Sequence, residues 1–219
     1  SGTEIPNIVL YDYHNSRAGQ CAVDFLKGYS GYLQVDGYQG YEQTQAILIG
    51  CWAHARRKFM EAKKGAGKKG SGKADWALNH IQKLYRLETQ LKDKTVEVRY
   101  ITRQEKSVPL LSQLHMWLMK SAQQVLPKTK LGEAIQYCLN QWKKLERYTL
   151  GGLLSIDNNR AERGIKPFVI GRKNWLFSQT ATGANASAVL YSIIETAKAN
   201  DLNVFEYVMT CLDELSKPD

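Results

Sequence analysis

Nowhere in the 219 residues does an apolar stretch reach the roughly 18 positions needed to cross a bilayer, and the N-terminus lacks a basic-then-apolar export signal. A soluble protein kept in the cytoplasm is expected. Cysteine is sparse and scattered: Cys21, Cys51, Cys138 and Cys211 include no close pair. That spacing fits neither a disulfide framework nor a zinc site, and leaves reduced thiols packed as small apolar groups. Acidic residues are in deficit, 21 against 30 lysines and arginines, for a net charge of +9. The deficit is uneven. Residues 1–62 carry −1, 63–73 carry +5, 74–150 carry +6, 151–177 carry +3 and 178–219 carry −4. A cationic middle between near-neutral and acidic ends suggests a surface facing a polyanion, most simply nucleic acid. A solvated lysine-rich face is the competing reading, and charge alone does not separate the two.

With 43% hydrophobic residues the chain can bury a core and should hold one or two domains. The stretch from Lys63 to Lys73 is almost entirely glycine and lysine. It is expected to be a flexible basic loop dividing two styles of sequence. Before it come short β-branched or aromatic runs with turn signals: Ile8 to Tyr11, Tyr32 to Val35 ending at Asp36-Gly37, and Ala46 to Cys51. After it the period becomes helical. Ala77, Ile81, Leu84 and Leu91 share a face, as do Leu111, Leu114, Leu118, Ala122 and Val125, and then Leu131, Ile135, Cys138, Trp142 and Leu145. The C-terminal stretch repeats the pattern with Val189, Leu190, Ile193, Ile194 and Ala197. After a break at Asn200-Asp201 come Phe205, Val208, Leu212 and Leu215.

The densest chemistry lies in Asp157 to Pro167 and in Gly171 to Trp175. One carboxylate, Glu162, is flanked by five cations, Arg160, Arg163, Lys166, Arg172 and Lys173. Glu162 stands three residues after Asn159, so it also fits the acid of a capping box on a helix that Asn158 or Asn159 would begin. Five cations around one acid exceed what a cap needs and form an electrostatic target of phosphate size. Asp36 has a similar double reading. A carboxylate at a strand end can point out of the sheet toward a ligand, and Asp-Gly is also a common tight turn. A strand ending in an acid, a helical block, and then an acid on a helix is the order in which the ribonuclease-H-like fold supplies its metal ligands.

The segment Gly31-Tyr32-Leu33-Gln34-Val35-Asp36-Gly37-Tyr38-Gln39-Gly40-Tyr41 resembles the second-aspartate motif of the transposases of the insertion-sequence-66 family. Gly50 to Phe59, with Cys51-Trp52-Ala53-His54-Ala55-Arg56-Arg57, resembles the strand and helix that follow it there. Asp157 to Pro167 with Gly171 to Phe177 resembles the catalytic-glutamate region, and Tyr191 to Lys198 its closing helix. These matches keep the family's order over nearly the whole chain.

The resemblance implies a DNA transposase with three catalytic acids (Asp, Asp, Glu), the second and third of which match Asp36 and Glu162, 126 positions apart. It implies an α/β fold: a ribonuclease-H-like mixed-sheet core, incomplete at the N-terminus, with an all-helical insertion and C-terminal helices. The expected divisions are 1–62 for the first part of the core, 63–73 for the loop, 74–150 for the helical insertion and 151–219 for the rest of the core. The family's first aspartate is expected upstream of this chain. Asp12 is the only stand-in, and the resemblance places it in a non-catalytic part of a hairpin. A fragment that cleaves DNA poorly by itself is therefore expected.

Mg²⁺, or Mn²⁺, suits such a site, since it needs only one or two protein carboxylates and keeps water and phosphate oxygens as partners. The implied partners are double-stranded DNA, further copies of the chain on that DNA, and other proteins of the same mobile element; a bacterial cytoplasm, at the nucleoid, is the implied place. Arg56, Arg57, Arg160, Arg163, Lys166, Arg172 and Lys173 are the expected DNA contacts. His54 is expected to be structural before catalytic. Trp52, Trp175 and Phe177 are expected to pack rather than stack on bases. A DNA-binding remnant without catalysis, and a nuclease that does not join strands, are the alternatives.

Overall fold

The computed structural model describes residues 6–65, 72–175 and 178–217, excluding the side chains of 172–175. It consists of two compact units, Ala18–Asn159, and Ser1–Arg17 with Arg160–Asp219.

In the first unit, α1 (Gly19–Phe25) precedes β1 (Tyr32–Gln34), a 3₁₀ turn (Gln39–Gln43) and β2 (Ile47–Ile49). The strands are parallel, with Tyr32 opposite Ile47 and Gln34 opposite Ile49. Val35 extends the pairing by donating its N–H to the Ile49 carbonyl at 2.9 Å. Helices α2 (Trp52–Gly65), α3 (Gly72–Leu91), α4 (Val96–Thr102), α5 (Val108–Ala122), α6 (Lys130–Asn140) and α7 (Trp142–Glu146) follow, a π turn at Arg103–Ser107 joining α4 to α5. Thr95 and Thr129 start α4 and α6 by accepting the N–H groups of Val98 and Gly132. Helix α2 reaches Gly65 and α3 begins at Gly72, so the ends of the expected basic loop are helical, while 66–71 lie outside the described residues.

The three stripes expected between Ala77 and Leu145 form the core. Ala77, Ile81, Leu84, Leu111, Leu114, Leu118, Ile135, Cys138 and Leu145 are buried against Trp52, Ala55 and Phe59 of α2. Helix α7 and the 3₁₀ turn after it (Arg147–Leu150) cover the outer edge of β2: Gly50 donates to the Lys144 carbonyl (2.9 Å), and Arg147 donates to that of Leu48 (2.9 Å). The bonds satisfy strand groups that an open edge would expose.

The second unit holds α8 (Asn159–Trp175) from Arg160 onward, α9 (Ala181–Ala199) and α10 (Val204–Leu215). Thr180 caps α9 through the Gly183 N–H, and Asn203 caps α10 through those of Phe205 and Glu206. The expected break falls where Asp201 turns to φ +55°.

Two expectations are corrected. Ile8 to Tyr11 is not a strand. Its backbone is satisfied by side chains of α9: Val9 donates to Thr196 Oγ1 (2.9 Å), Thr196 Oγ1 donates to the Val9 carbonyl (3.1 Å), and Tyr11 donates to Ser192 Oγ (2.8 Å). The buried side of α9 accordingly consists of Ala184, Ala188, Ser192 and Ala197, while Val189 and Leu190 are exposed. Small residues let an extended chain approach within hydrogen-bonding distance, which a Val-Leu stripe would prevent. On α10, Phe205, Leu212 and Leu215 are likewise exposed. No helix among the described residues is long and apolar enough to cross a membrane.

Candidate nucleic-acid-processing site

Asp36 lies just beyond β1 with an exposed side chain. Its Oδ1 accepts the Tyr38 N–H at 3.0 Å, and Gly37 adopts φ +97°, a conformation that favours glycine. The tight-turn reading of Asp-Gly is thus real, and the turn is what holds the carboxylate outward. Burial first, and the Asp36 charge second, push the Tyr41 phenol above its ordinary range.

Beyond β2 the chain enters α2 through Cys51 and Trp52. Trp52 is fully buried, its indole N–H donating to the Leu145 carbonyl at 2.8 Å. It has no face for a base, in accord with the structural role expected of it. His54 is half-buried, whereas Arg56 and Arg57 are exposed one turn further on. They line an open groove of about 510 Å³ with Ala53, Met60, Gln82, Tyr85, Thr89 and Asn159.

Asp157 is the residue that sequence reasoning passed over. Its Oδ1 accepts the Asn159 N–H (3.1 Å), and its Oδ2 accepts the Asn159 side-chain amide (2.8 Å) and the Tyr85 hydroxyl from α3 (3.0 Å). Burial, reinforced by this carboxylate, pushes the Tyr85 phenol far up, so it stays a donor. The neighbouring Asn158 N–H donates to Cys51 Sγ at 3.2 Å, and burial raises that thiol. Asp157 therefore satisfies the Asn159 N–H and ties the end of the first unit to its own α3. A carboxylate two residues before a helix was the available signal; its partner 72 positions away was not.

A second anchor lies just upstream. Arg103, buried in the π turn, pairs with Glu88 at 2.6 Å and donates to the carbonyls of Tyr148 and Gly151. At Gly152 a Cβ would stand 1.9 Å from the Val96 carbonyl oxygen, so glycine is required for this approach. These contacts fix the chain that runs into Asp157.

Glu162 occupies the first turn of α8. In a capping box it would take the backbone N–H of Asn159, which Asp157 already holds. Arg160, Arg163 and Lys166 are exposed and recur every third residue, tracing one side of α8. Arg160 also donates to the Asn7 side chain. The helix is pinned by Tyr11, whose hydroxyl donates to the Gly164 carbonyl and whose ring packs with Phe168 (5.9 Å) and Tyr191 (6.2 Å). The side chains of Arg172, Lys173 and Trp175, and all of Phe177, lie outside the described residues. Asp12 meets His14 at 2.7 Å on the surface.

Comparison with known proteins adds a family. The uncharacterized proteins y4hP and y4qI of Sinorhizobium fredii are each 33% identical to this chain, over 92% and 99% of its length. A third from that organism, y4jD, is 30% identical over 96% of it. The chain spans about two fifths of the length of these relatives: 40%, 42% and 42%. No solved structure matches. The model of the family described as "Transposase IS66 family" matches residues 2–186, which include the turn at Asp36, the arginines of α2 and the acid-bearing start of α8, and the chain belongs to that family.

Proposed function

We propose that this chain is part of the catalytic region of a DNA transposase, in which Asp36 and Glu162 supply carboxylates to a divalent cation that promotes phosphodiester cleavage and strand transfer. The observation that carries the reading is Asp157's hold on the Asn159 N–H. It removes the donor that a merely capping Glu162 would need. The strand, acid, helical block and acid-bearing helix follow one another in the order of a ribonuclease-H-like core. A family whose description is that of a transposase supports DNA as substrate.

The donor chemistry fits Mg²⁺ or Mn²⁺, which prefer hard carboxylate oxygens, and Asp36 presents one in an exposed turn. When bound, such an ion polarises a phosphodiester and lowers the proton affinity of an attacking hydroxyl or water. The chain's own residues do the rest. Tyr38 N–H orients the Asp36 carboxylate. Arg56 and Arg57 contact phosphates along their groove, and Arg160, Arg163 and Lys166 contact them along α8.

The test uses Glu162→Gln and Asp36→Asn in a chain of the relatives' full length, with labelled duplex ends as substrate. Both variants should fold and bind DNA normally while cleavage falls by several orders of magnitude. Retained cleavage in either would sink the assignment. Hydrolysis without end joining by the unmodified protein would favour the nuclease alternative.

A further inference from the structure

Asp36 accounts for one position of the Asp36-Gly37-Tyr38-Gln39-Gly40-Tyr41 segment, and the rest has a structural logic of its own. The Asx turn at Asp36 places Tyr38 immediately beside the carboxylate, its N–H bonded to Oδ1 at 3.0 Å. Gly40 lets the ring lie down: a Cβ there would stand 2.2 Å from the Tyr38 ring. Tyr41 meets the same ring edge-on, with centroids 5.6 Å apart and planes at 90°. Glu42, in the 3₁₀ turn that follows, pairs with Lys144 and fastens the turn to α7. An aromatic ring so supported has little rotational freedom left to lose. It is nonetheless 43% exposed.

Positive charge lies on the same side of the unit. Tyr137 rests against the turn, its hydroxyl 3.3 Å from where a Gly37 Cβ would be, and Lys58 Nζ stands 5.1 Å over the Tyr137 ring. Arg57, exposed, is the preceding residue of α2. A fixed aromatic face beside cations is the pairing that binds a single unpaired nucleotide, the ring taking the base and the cations its phosphate.

We propose that Tyr38 is the stacking platform for an unpaired nucleobase of DNA, held beside Asp36 by the Asx turn, Gly40 and Tyr41. The inference rests on the DNA-processing reading above and gives it a feature that the acids alone do not: preference for a frayed or single-stranded end. Aromatic stacking tolerates any base, so the preference is for unpaired structure and not for sequence.

The experiment uses this chain with two DNAs, a blunt duplex and the same duplex carrying a short single-stranded tail with 2-aminopurine as its first unpaired base. Binding is followed by anisotropy, stacking by quenching of the 2-aminopurine, and folding of each variant by circular dichroism. The unmodified chain and Tyr38→Phe should bind the tailed DNA more tightly than the blunt one and quench its fluorescence. Tyr38→Ala should weaken tailed binding by about tenfold and abolish the quench while leaving blunt binding nearly unchanged. Gly40→Ala, which displaces the ring without removing it, should also lose the quench. No quench by the unmodified chain, or tailed binding unaltered in folded Tyr38→Ala, overturns the platform and leaves the transposase reading standing. Failure to bind either DNA overturns both.

Discussion

Replacing Arg103 by methionine removes a guanidinium 2% exposed in the structure. Its Nε and Nη2 hold the Glu88 carboxylate at 2.9 and 2.6 Å, and Nη1 holds the Tyr148 carbonyl at 3.0 Å and the Gly151 carbonyl. Methionine fills much of the volume but leaves Glu88, whose side chain is 15% exposed, without a counter-charge. Stranding one member of a buried pair costs about 3–5 kcal/mol, and two carbonyls lose charge-assisted donors as well. Water reaching Glu88 offsets part of this, so a loss of about 3–5 kcal/mol is expected for the whole change. Removing both charges in Arg103→Met with Glu88→Leu should recover at least about 1–2 kcal/mol of it, because the desolvated carboxylate disappears too. Arg103→Lys should fall between, since an ammonium keeps the charge without the fork that reaches three partners. Urea unfolding followed by tryptophan fluorescence measures each value, Trp52 and Trp142 being buried in the same unit. A loss under about 1 kcal/mol for the single variant, or a double variant no more stable than it, would refute the clamp as the element holding Tyr148 to Gly151.

Tyr85→Phe deletes one of the three hydrogen bonds on Asp157 and should cost about 1 kcal/mol, whereas Asp157→Ala also strands the Tyr85 hydroxyl and uncaps α8, for about 2–3 kcal/mol by thermal melting. Equal effects from the two would contradict the network. Burial pushes the Cys138 thiol from its ordinary value of 9.0 up to about 12. Its neutral form is favoured in the folded state, so that contribution to stability is complete below the unfolded thiol's value and is lost as pH rises from about 9 toward about 12. Urea midpoints should decline across that window, less steeply in Cys138→Ala; equal slopes would rule the thiol out as the source.

The period of the apolar residues between Ala77 and Leu145 was enough to assign helices and their buried faces, because a stripe repeating every 3.6 residues has few other ways to leave water. Local pattern misread Ile8 to Tyr11 as a strand, and on α9 it found the helix but not the whole of its buried side. A β-branched run there has its backbone satisfied by the hydroxyls of Ser192 and Thr196, more than 180 positions away. Local pattern cannot register such a partner. The Asp-Gly turn and the cation-flanked Glu162 were legible because turn chemistry and charge density are local properties.

What the sequence determined by itself, then, is which residues carry charge, where the chain turns, and which helical faces are apolar, since these follow from spacing along the chain. Tertiary structure decided what those residues do together. It bonded Asp157 to Tyr85, buried Trp52 and exposed Tyr38, and closed the Arg103 clamp. The bonds of Tyr85 to Asp157, of Trp52 to Leu145 and of Arg103 to its partners join segments whose proximity is invisible to local spacing, and burial or exposure is defined only by the folded chain.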